Sequence, residues 1–323
     1  MRRTSTTDYA ITAFAPIVWG STYLVTTEFL PPDRPLLAAV VRALPAGLLL
    51  MVLTRTLPQG IWWIRSAVLG ALNIGIFFFL LFVAAYQLPG GVAALVMSVQ
   101  PLIVLLLGVG LLGQRILPIH LVACAIGTAG IALLVLRSNA QISTIGVVAG
   151  LLGALSMAAG IVLAKRWGRP PGTGILGFTG VQLFLGGLLL VPPMLIVEGL
   201  PAAVTTRNIG GFAYLAVIGA LIAYAVWFRG IERLPAVAVS FLGFLSPVTA
   251  VALGYVFLGE DLTAWQIVGA CAVIASIALI QFALSRQHQP PAGHQPGGPQ
   301  NVSPVMSGDT TIDALSASKE KAP

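Results

Sequence analysis

The sequence contains the stretch LPGGVAALVMSVQPLIVLLLGVGLLG (88–113), and a similar stretch, LPAVAVSFLGFLSPVTAVALGYVFLG, follows at 234–259. The similarity extends without a gap over residues 88–134 and 234–280. Both copies begin with Leu-Pro, contain a second proline near the middle of the apolar run and reach a Leu-Gly pair at its end. Chance identities are common among apolar residues, so the evidence for similarity comes mainly from these prolines and glycines. The sequence therefore predicts an internal repeat.

Composition places the chain in a membrane. Apolar side chains make up 57% of the 323 residues and charged ones only 8%, against about 25% charged in an ordinary soluble domain. A soluble fold needs more charge to cover its surface, whereas lipid removes this need. The net charge of +7 does not indicate a nucleic-acid partner, because the basic residues are scattered singly between apolar runs and are not clustered on one face.

Ten windows are long and apolar enough to cross a bilayer, which requires about 20 mostly apolar residues. Short breaks rich in proline and glycine separate them. We therefore expect an all-α integral membrane protein with ten transmembrane helices, of which sequential neighbours run antiparallel. The windows are 10–29, 35–54, 62–86, 90–112, 117–137, 144–166, 174–197, 208–231, 235–258 and 262–284.

An odd number of spans in each half would insert the second half upside down. Equivalent loops then lie on opposite sides of the membrane, and positive charge should change sides with them. Arg115 follows the first copy of the repeat, whereas Glu260 and Asp261 follow the second. The pattern predicts two inverted five-helix repeats, at 10–137 and 144–284.

Basic residues are concentrated in the loops on one side of this topology. The other side holds only Arg34, Arg137 and Arg207. The positive-inside rule then places both termini in the cytoplasm and the protein in the plasma membrane. Residues 1–9 form a short cytoplasmic N-terminus in this scheme. Residues 285–323, rich in Pro, Gly, Ser and Gln, are predicted to form a disordered cytoplasmic tail.

The order of these motifs resembles the drug/metabolite transporter superfamily, in its EamA-type branch. The first span contains Trp-Gly-Ser at 19–21, and the second runs from Pro35 through small and apolar residues to Arg42. The two repeat copies add the Leu-Pro entry, the mid-span proline and the terminal glycine. The resemblance covers about residues 10–284. It implies two five-helix EamA repeats and the export or exchange of small metabolites such as amino acids.

Polar residues inside apolar spans are costly and often functional. Arg42 is the only charge well inside a span. We interpret it either as an anchor for a substrate carboxylate or phosphate, or as a snorkelling or capping arginine paired with Glu28. Glu28 is a candidate for proton coupling, with an interfacial ion-pair partner as the alternative.

The substrate-binding candidates share a polar or aromatic side chain within an apolar span. For the polar ones, the alternative role is hydrogen bonding between helices. The candidates are Trp19, Tyr23, Arg42, Asn73, Gln100, Gln182, Tyr224 and Trp227.

Other function classes lack their signatures in this sequence. It has no Walker A or HExxH motif, and Cys124 and Cys271 each lie inside an apolar run, so we expect no cofactor, no metal site, no catalytic residues and no enzyme. Two inverted halves favour a transporter that exposes a central site to each side alternately. The alternatives are a membrane-embedded enzyme and a scaffold without transport activity. A small-molecule substrate and the lipid bilayer are the expected partners, and a homodimer is left open.

Overall fold

The computed structural model describes residues 6–88, 90–135, 143–258 and 263–287. Some features predicted from the sequence fall wholly or largely outside these ranges and stay predictions. They are Arg137, the acidic pair Glu260 and Asp261, and the tail, of which the structure describes only 285–287 as the end of a helix.

The described residues form ten helical spans, two of which are interrupted. Nine of the described helices are long and apolar enough to cross a membrane, and Pro118–Leu134 is a shorter apolar helix. The predicted all-α membrane fold is thus confirmed, with helix ends that differ from the predicted windows by a few residues. The spans are α1 (Thr6–Phe29), α2 (Pro35–Thr54), α3 (Trp62–Gln87), α4 (Gly90–Met97 and Gln100–Leu112), α5 (Pro118–Val135), α6 (Thr144–Trp167), α7 (Ile175–Glu198), α8 (Thr206–Arg233), α9 (Ala236–Leu242 and Leu245–Leu258) and α10 (Ala264–Gln287).

Contacts at the helix ends show that the two halves are inverted. Lys165, near the end of α6, donates hydrogen bonds of 2.8–2.9 Å to three carbonyl groups at the end of α8. Asp8, near the start of α1, forms an ion pair with Arg229, also near the end of α8. The start of α1 and the end of α6 therefore share one face, so the first helices of the two halves run in opposite directions. We name this side the N-terminal face and the opposite side the far face.

The interruptions of α4 and α9 fall at equivalent positions of the repeat. Pro101 and Pro247 have no backbone N–H, so the carbonyl four residues earlier in each helix loses its helical donor. Three residues before each proline, the amides of Ser98 and Phe244 bond to carbonyls three residues back rather than four, at 3.0 Å in both cases. The mid-span prolines that identified the repeat thus break both helices in the same way.

Two helices join the repeats along their length and approach closely at glycine residues. α2 and α7 are the second helices of their halves, and their backbones approach closely. A Cβ atom added at Gly47 would lie only 2.6 Å from the Cα atom of Phe184, and one added at Gly187 would lie 3.0 Å from the Cα atom of Leu44. Small residues permit such approach where lipid supplies no hydrophobic drive. We refer to this contact as the α2–α7 seam.

Candidate functional site

A cavity of about 90 Å³ lies between the two repeats. Its walls come from both halves, and the interrupted segments of α4 and α9 form a large part of them. Met97 and Gln100 line it from α4, while Gly243 and Ser246 line it from α9. The space admits several water molecules, so a metabolite requires the walls to move apart.

The polar lining of the cavity is mostly neutral. The hydroxyl groups of Ser98 and Ser240 donate to carbonyls of their own helices, at 2.6 and 2.7 Å, which leaves their oxygens as acceptors. Gln100 is the first residue of the second half of α4, where the helix dipole presents its positive end. These groups offer hydrogen bonds to a polar solute without adding a formal charge.

Arg42 supplies the charge of the cavity. Its side chain is 1% exposed, and its guanidinium lies 4.5 Å from the ring centroid of Phe78. Nη2 donates to the carbonyl oxygen of Gly219 at 3.2 Å, and Nη1 donates weakly to Oγ1 of Thr22 at 3.4 Å. Nε is buried and has no hydrogen-bond partner among the described residues.

The carbonyl of Gly219 ties three helices together beside the cavity. It lies in a π-helical turn of α8, Val217–Ile222, of the kind often found at functional sites. Besides Arg42 of α2, it accepts a hydrogen bond of 2.9 Å from Nε1 of Trp19 in α1. One carbonyl of the second repeat therefore holds two side chains of the first.

Glu28 is not the partner of Arg42. It lies in the last turn of α1 and forms a 3.0 Å ion pair with Arg207 at the start of α8, where the two side chains are 42% and 59% exposed. Among the described acidic residues, none forms an ion pair with Arg42. The predicted pairing is therefore wrong, and near-complete burial also contradicts snorkelling. The location of Glu28 on the far face favours the interfacial ion-pair role over proton coupling.

Five of the eight predicted binding residues meet at the cavity. They are Trp19, Tyr23, Arg42, Gln100 and Trp227.

The other three predicted residues lie behind the cavity wall. Asn73 donates to Oε1 of Gln182 at 3.2 Å, which links α3 to α7, and neither side chain is exposed. The hydroxyl of Tyr224 bonds to the backbone carbonyl of Asn73 at 3.5 Å, and its ring packs 4.8 Å from that of Trp19. All three side chains thus make helix–helix contacts.

Sequence reasoning missed the contribution of the interrupted segments. Ser98, Ser240 and Ser246 line the cavity, although hydropathy gave no reason to single them out. The available signal was their proximity to Pro101 and Pro247, since a broken helix exposes backbone polar groups that need a polar or buried setting.

Aromatic side chains and an ion cluster connect the helices on the side of the N-terminal face. Tyr224, Phe228 and Phe178 are at most 3% exposed, and their rings pack at an angle to one another with centroids 5.7 and 5.9 Å apart. Beyond them, the carboxylate of Asp8 contacts Nη2 of Arg229 at 2.7 Å and Nη1 of Arg233 at 3.1 Å. The charge pattern of the sequence did not predict this link between α1 and α8.

The fold and the cavity define a membrane transporter, and the family follows from sequence comparison. The sequence pattern of the EamA-like transporter family matches the chain twice, at residues 9–136 and 144–282. The chain belongs to this family, and the two matches coincide with the two inverted halves.

Several proteins resemble this chain over most of its length. Protein PecM of Dickeya dadantii is 51% identical over 274 residues, which cover 85% of this chain and 91% of PecM. The uncharacterized inner membrane transporter YedA of Escherichia coli strain K12 is 30% identical and covers 82% of this chain and 87% of its own. A probable amino-acid metabolite efflux pump of Salmonella typhimurium is 26% identical over 82% of this chain and 92% of its own length.

A solved structure shows the same fold. This crystal structure has a TM-score of 0.73 at 19% sequence identity, over 88% of this chain and the whole of the other. At that identity the likeness supports the arrangement of helices only.

Proposed function

We propose that this membrane transporter moves small metabolites that carry an anionic group, such as amino acids and other organic acids, across the plasma membrane by alternating access. The observation that carries the proposal is the guanidinium of Arg42, which is buried in a cavity between inverted repeats and has no acidic partner among the described residues. A buried charge without a counter-charge is strongly unfavourable, and a bound carboxylate or phosphate would relieve this cost.

The remaining lining favours a solute with an apolar body. Trp19, Trp227 and Phe77 supply aromatic surface, and Gln100 supplies both a hydrogen-bond donor and an acceptor. No acidic residue lines the described cavity, so the ammonium group of an amino acid would depend on neutral oxygens there. We assign solute contact to the five predicted residues that line the cavity and a structural role to Asn73, Gln182 and Tyr224.

The direction and the membrane are inferred from relatives and charge. Export agrees with the efflux function in the name of the Salmonella relative, and the plasma membrane agrees with the inner-membrane description of YedA. The N-terminal face carries Lys165, Arg169, Arg229 and Arg233, which favours the cytoplasmic side for this face. The structure would then represent a state closed toward the cytoplasm.

Alternating access would require α1 and α8 to separate at the N-terminal face. The packed aromatic side chains and the Asp8 cluster would have to part on this route, while the α2–α7 seam would keep the two repeats in contact. We propose that the repeats rock about this seam. The backbones of α2 and α7 are so close there that the two helices have little room to slide past each other.

Counterflow in proteoliposomes tests the proposal. Purified protein is reconstituted in liposomes preloaded with an unlabelled solute, and uptake of the labelled solute is followed for glutamate, phenylpyruvate and the neutral sugar glucose. We expect uptake of at least one of the two anionic solutes and none of glucose. Arg42→Ala should abolish this uptake, and Arg42→Lys should restore only part of it, since lysine keeps the charge but lacks the planar fork.

The matched control is Arg207→Ala, which removes an exposed arginine of the far face and should leave uptake close to that of the unmodified protein. Absence of uptake of both acids, or equal uptake by Arg42→Ala, would overturn the proposal. Chemical conversion of a solute without flux would instead favour the membrane-enzyme alternative.

A further inference from the structure

The guanidinium of Arg42 presents one edge to Gly219. This edge carries Nε and Nη2, of which Nη2 donates to the carbonyl of Gly219 and Nε is buried without a partner among the described residues. A planar carboxylate binds such an edge through two parallel hydrogen bonds. In the present conformation a single carbonyl oxygen occupies half of that fork.

Gly219 places no side chain beside this edge. A Cβ atom at Gly219 would lie 3.8 Å from Nε and 3.8 Å from Nη2 of Arg42, and 3.7 Å from Cδ2 of Leu215. These are ordinary van der Waals distances, so alanine fits at this position without a clash. Its methyl group would nonetheless cover the two nitrogens that a carboxylate needs.

We infer that Gly219 is the positioning and specificity-determining residue of the anion site. Its carbonyl accepts a hydrogen bond from Nη2 of Arg42 in this structure. Because it has no side chain, a carboxylate can approach Arg42, replace the carbonyl as the acceptor of Nη2 and accept a second hydrogen bond from Nε. The inference rests on the proposed function, because it assigns the substrate class to a planar, bidentate anion at the same arginine.

The exchange of partners also affects the contact between the repeats. Arg42 belongs to the first repeat and Gly219 to the second, so their hydrogen bond links the two repeats. An anion that replaces the carbonyl removes this link, while a neutral solute leaves it in place. Occupancy by an anion is thereby connected to the freedom of α8 to move away from α2.

The test compares two substitutions of the same kind on the same helix. Gly219→Ala adds a methyl group beside Arg42, whereas Gly210→Ala adds one where no atom lies within 4 Å. The probes are phenylacetate and phenylacetamide, which share a shape but differ in charge. Their affinities for the purified protein in detergent are measured by the quenching of tryptophan fluorescence, since Trp19 and Trp227 line the cavity.

For the unmodified protein and Gly210→Ala, we expect phenylacetate to bind at least about tenfold more tightly than phenylacetamide, as removal of a charge-assisted bidentate contact implies. Gly219→Ala should abolish this preference and leave the affinity for phenylacetamide and the melting temperature unchanged. An unchanged preference in Gly219→Ala would overturn the inference and leave the proposed function intact. No preference in the unmodified protein would instead overturn the anion site on which both rest.

Discussion

The carboxylate of Asp8 lies 2.7 Å from Nη2 of Arg229 and joins the start of α1 to the end of α8 across the boundary between the repeats. The same two helices are joined at their other ends by Glu28 and Arg207, at 3.0 Å. The first pair is largely buried, with side chains 12% and 25% exposed, whereas the second is 42% and 59% exposed. Exposed ion pairs contribute little to stability, so α1 and α8 are held together more firmly at the N-terminal face.

Asp8→Asn should favour opening of the N-terminal face. The amide cannot neutralise Arg229 and Arg233, and we expect a shift of about 1 kcal/mol, equivalent to about fivefold, toward the open state. The measurement is the rate at which an impermeant thiol reagent, applied from the N-terminal face, labels a cysteine introduced at Ser240. Cys124 and Cys271 are first replaced by alanine.

Glu28→Gln is the matched control for this charge removal. It alters the exposed pair of the far face and should leave labelling from the N-terminal face unchanged. Equal labelling rates in Asp8→Asn and the parent would show that the cluster does not hold this face closed.

Pro101→Ala and Pro247→Ala should each slow transport without loss of stability. Alanine restores a backbone N–H, which can donate a hydrogen bond to the carbonyl four residues earlier. Its helix propensity also exceeds that of proline by about 3 kcal/mol. A continuous helix would alter the cavity wall that the interruption now forms. Equal or higher melting temperatures together with slower counterflow would agree with this expectation.

Pro118→Ala controls for the loss of a proline. Pro118 is the first residue of α5, a position where the missing N–H has no helical partner to lose. The idea fails if both cavity prolines can be replaced with full retention of the transport rate.

Gly47→Ala should destabilise the folded protein by about 1–3 kcal/mol, the usual cost of overpacking. Its Cβ atom would collide with the backbone of α7, since the Cα atom of Phe184 would lie only 2.6 Å away. Thermal unfolding in detergent measures the change, with Gly210→Ala as the reference for an unobstructed methyl group. A melting temperature equal to that of Gly210→Ala would show that α2 and α7 separate easily.

Gln182→Leu should reduce stability and spare solute binding. It leaves Asn73 without its side-chain partner inside the protein, at a cost of about 0.6–2 kcal/mol. The double variant Asn73→Leu/Gln182→Leu should lose less stability than the two single changes together, because the residues interact. Weakened binding of a transported solute by Gln182→Leu at normal stability would place Gln182 in the site after all.

The helices were predictable because their signal is local. A run of apolar residues long enough to span lipid stands out in any window, and Pro101 and Pro247 fix the alignment of the repeat. The interruptions were not predicted, since Ser98 and Phe244 lie within runs that remain apolar overall. That both breaks face the cavity depends on packing between helices that are distant in the sequence.

The part of the candidate site that could be predicted is the part where the type of side chain is sufficient to single out a residue. Arg42 is identifiable from the sequence because a charged residue inside an apolar span is energetically costly and often functional. Asn73 and Gln182 are polar in the same sense, but whether each faces the cavity or a neighbouring helix depends on the rotation of α3 and α7. The partner of Glu28 could not be found from nearby sequence, because Arg207 belongs to the other half of the chain.

The unpaired charge of Arg42 also has an electrical consequence. A unit charge that crosses a potential of 100 mV changes its energy by about 2.3 kcal/mol. The guanidinium of Arg42 has no acidic partner among the described residues and carries this charge. A monovalent anion of the kind proposed as substrate would cancel it. If Arg42 moves along the field during the proposed cycle, the protein without substrate would respond to voltage, whereas at Arg42 the protein with a bound anion would not.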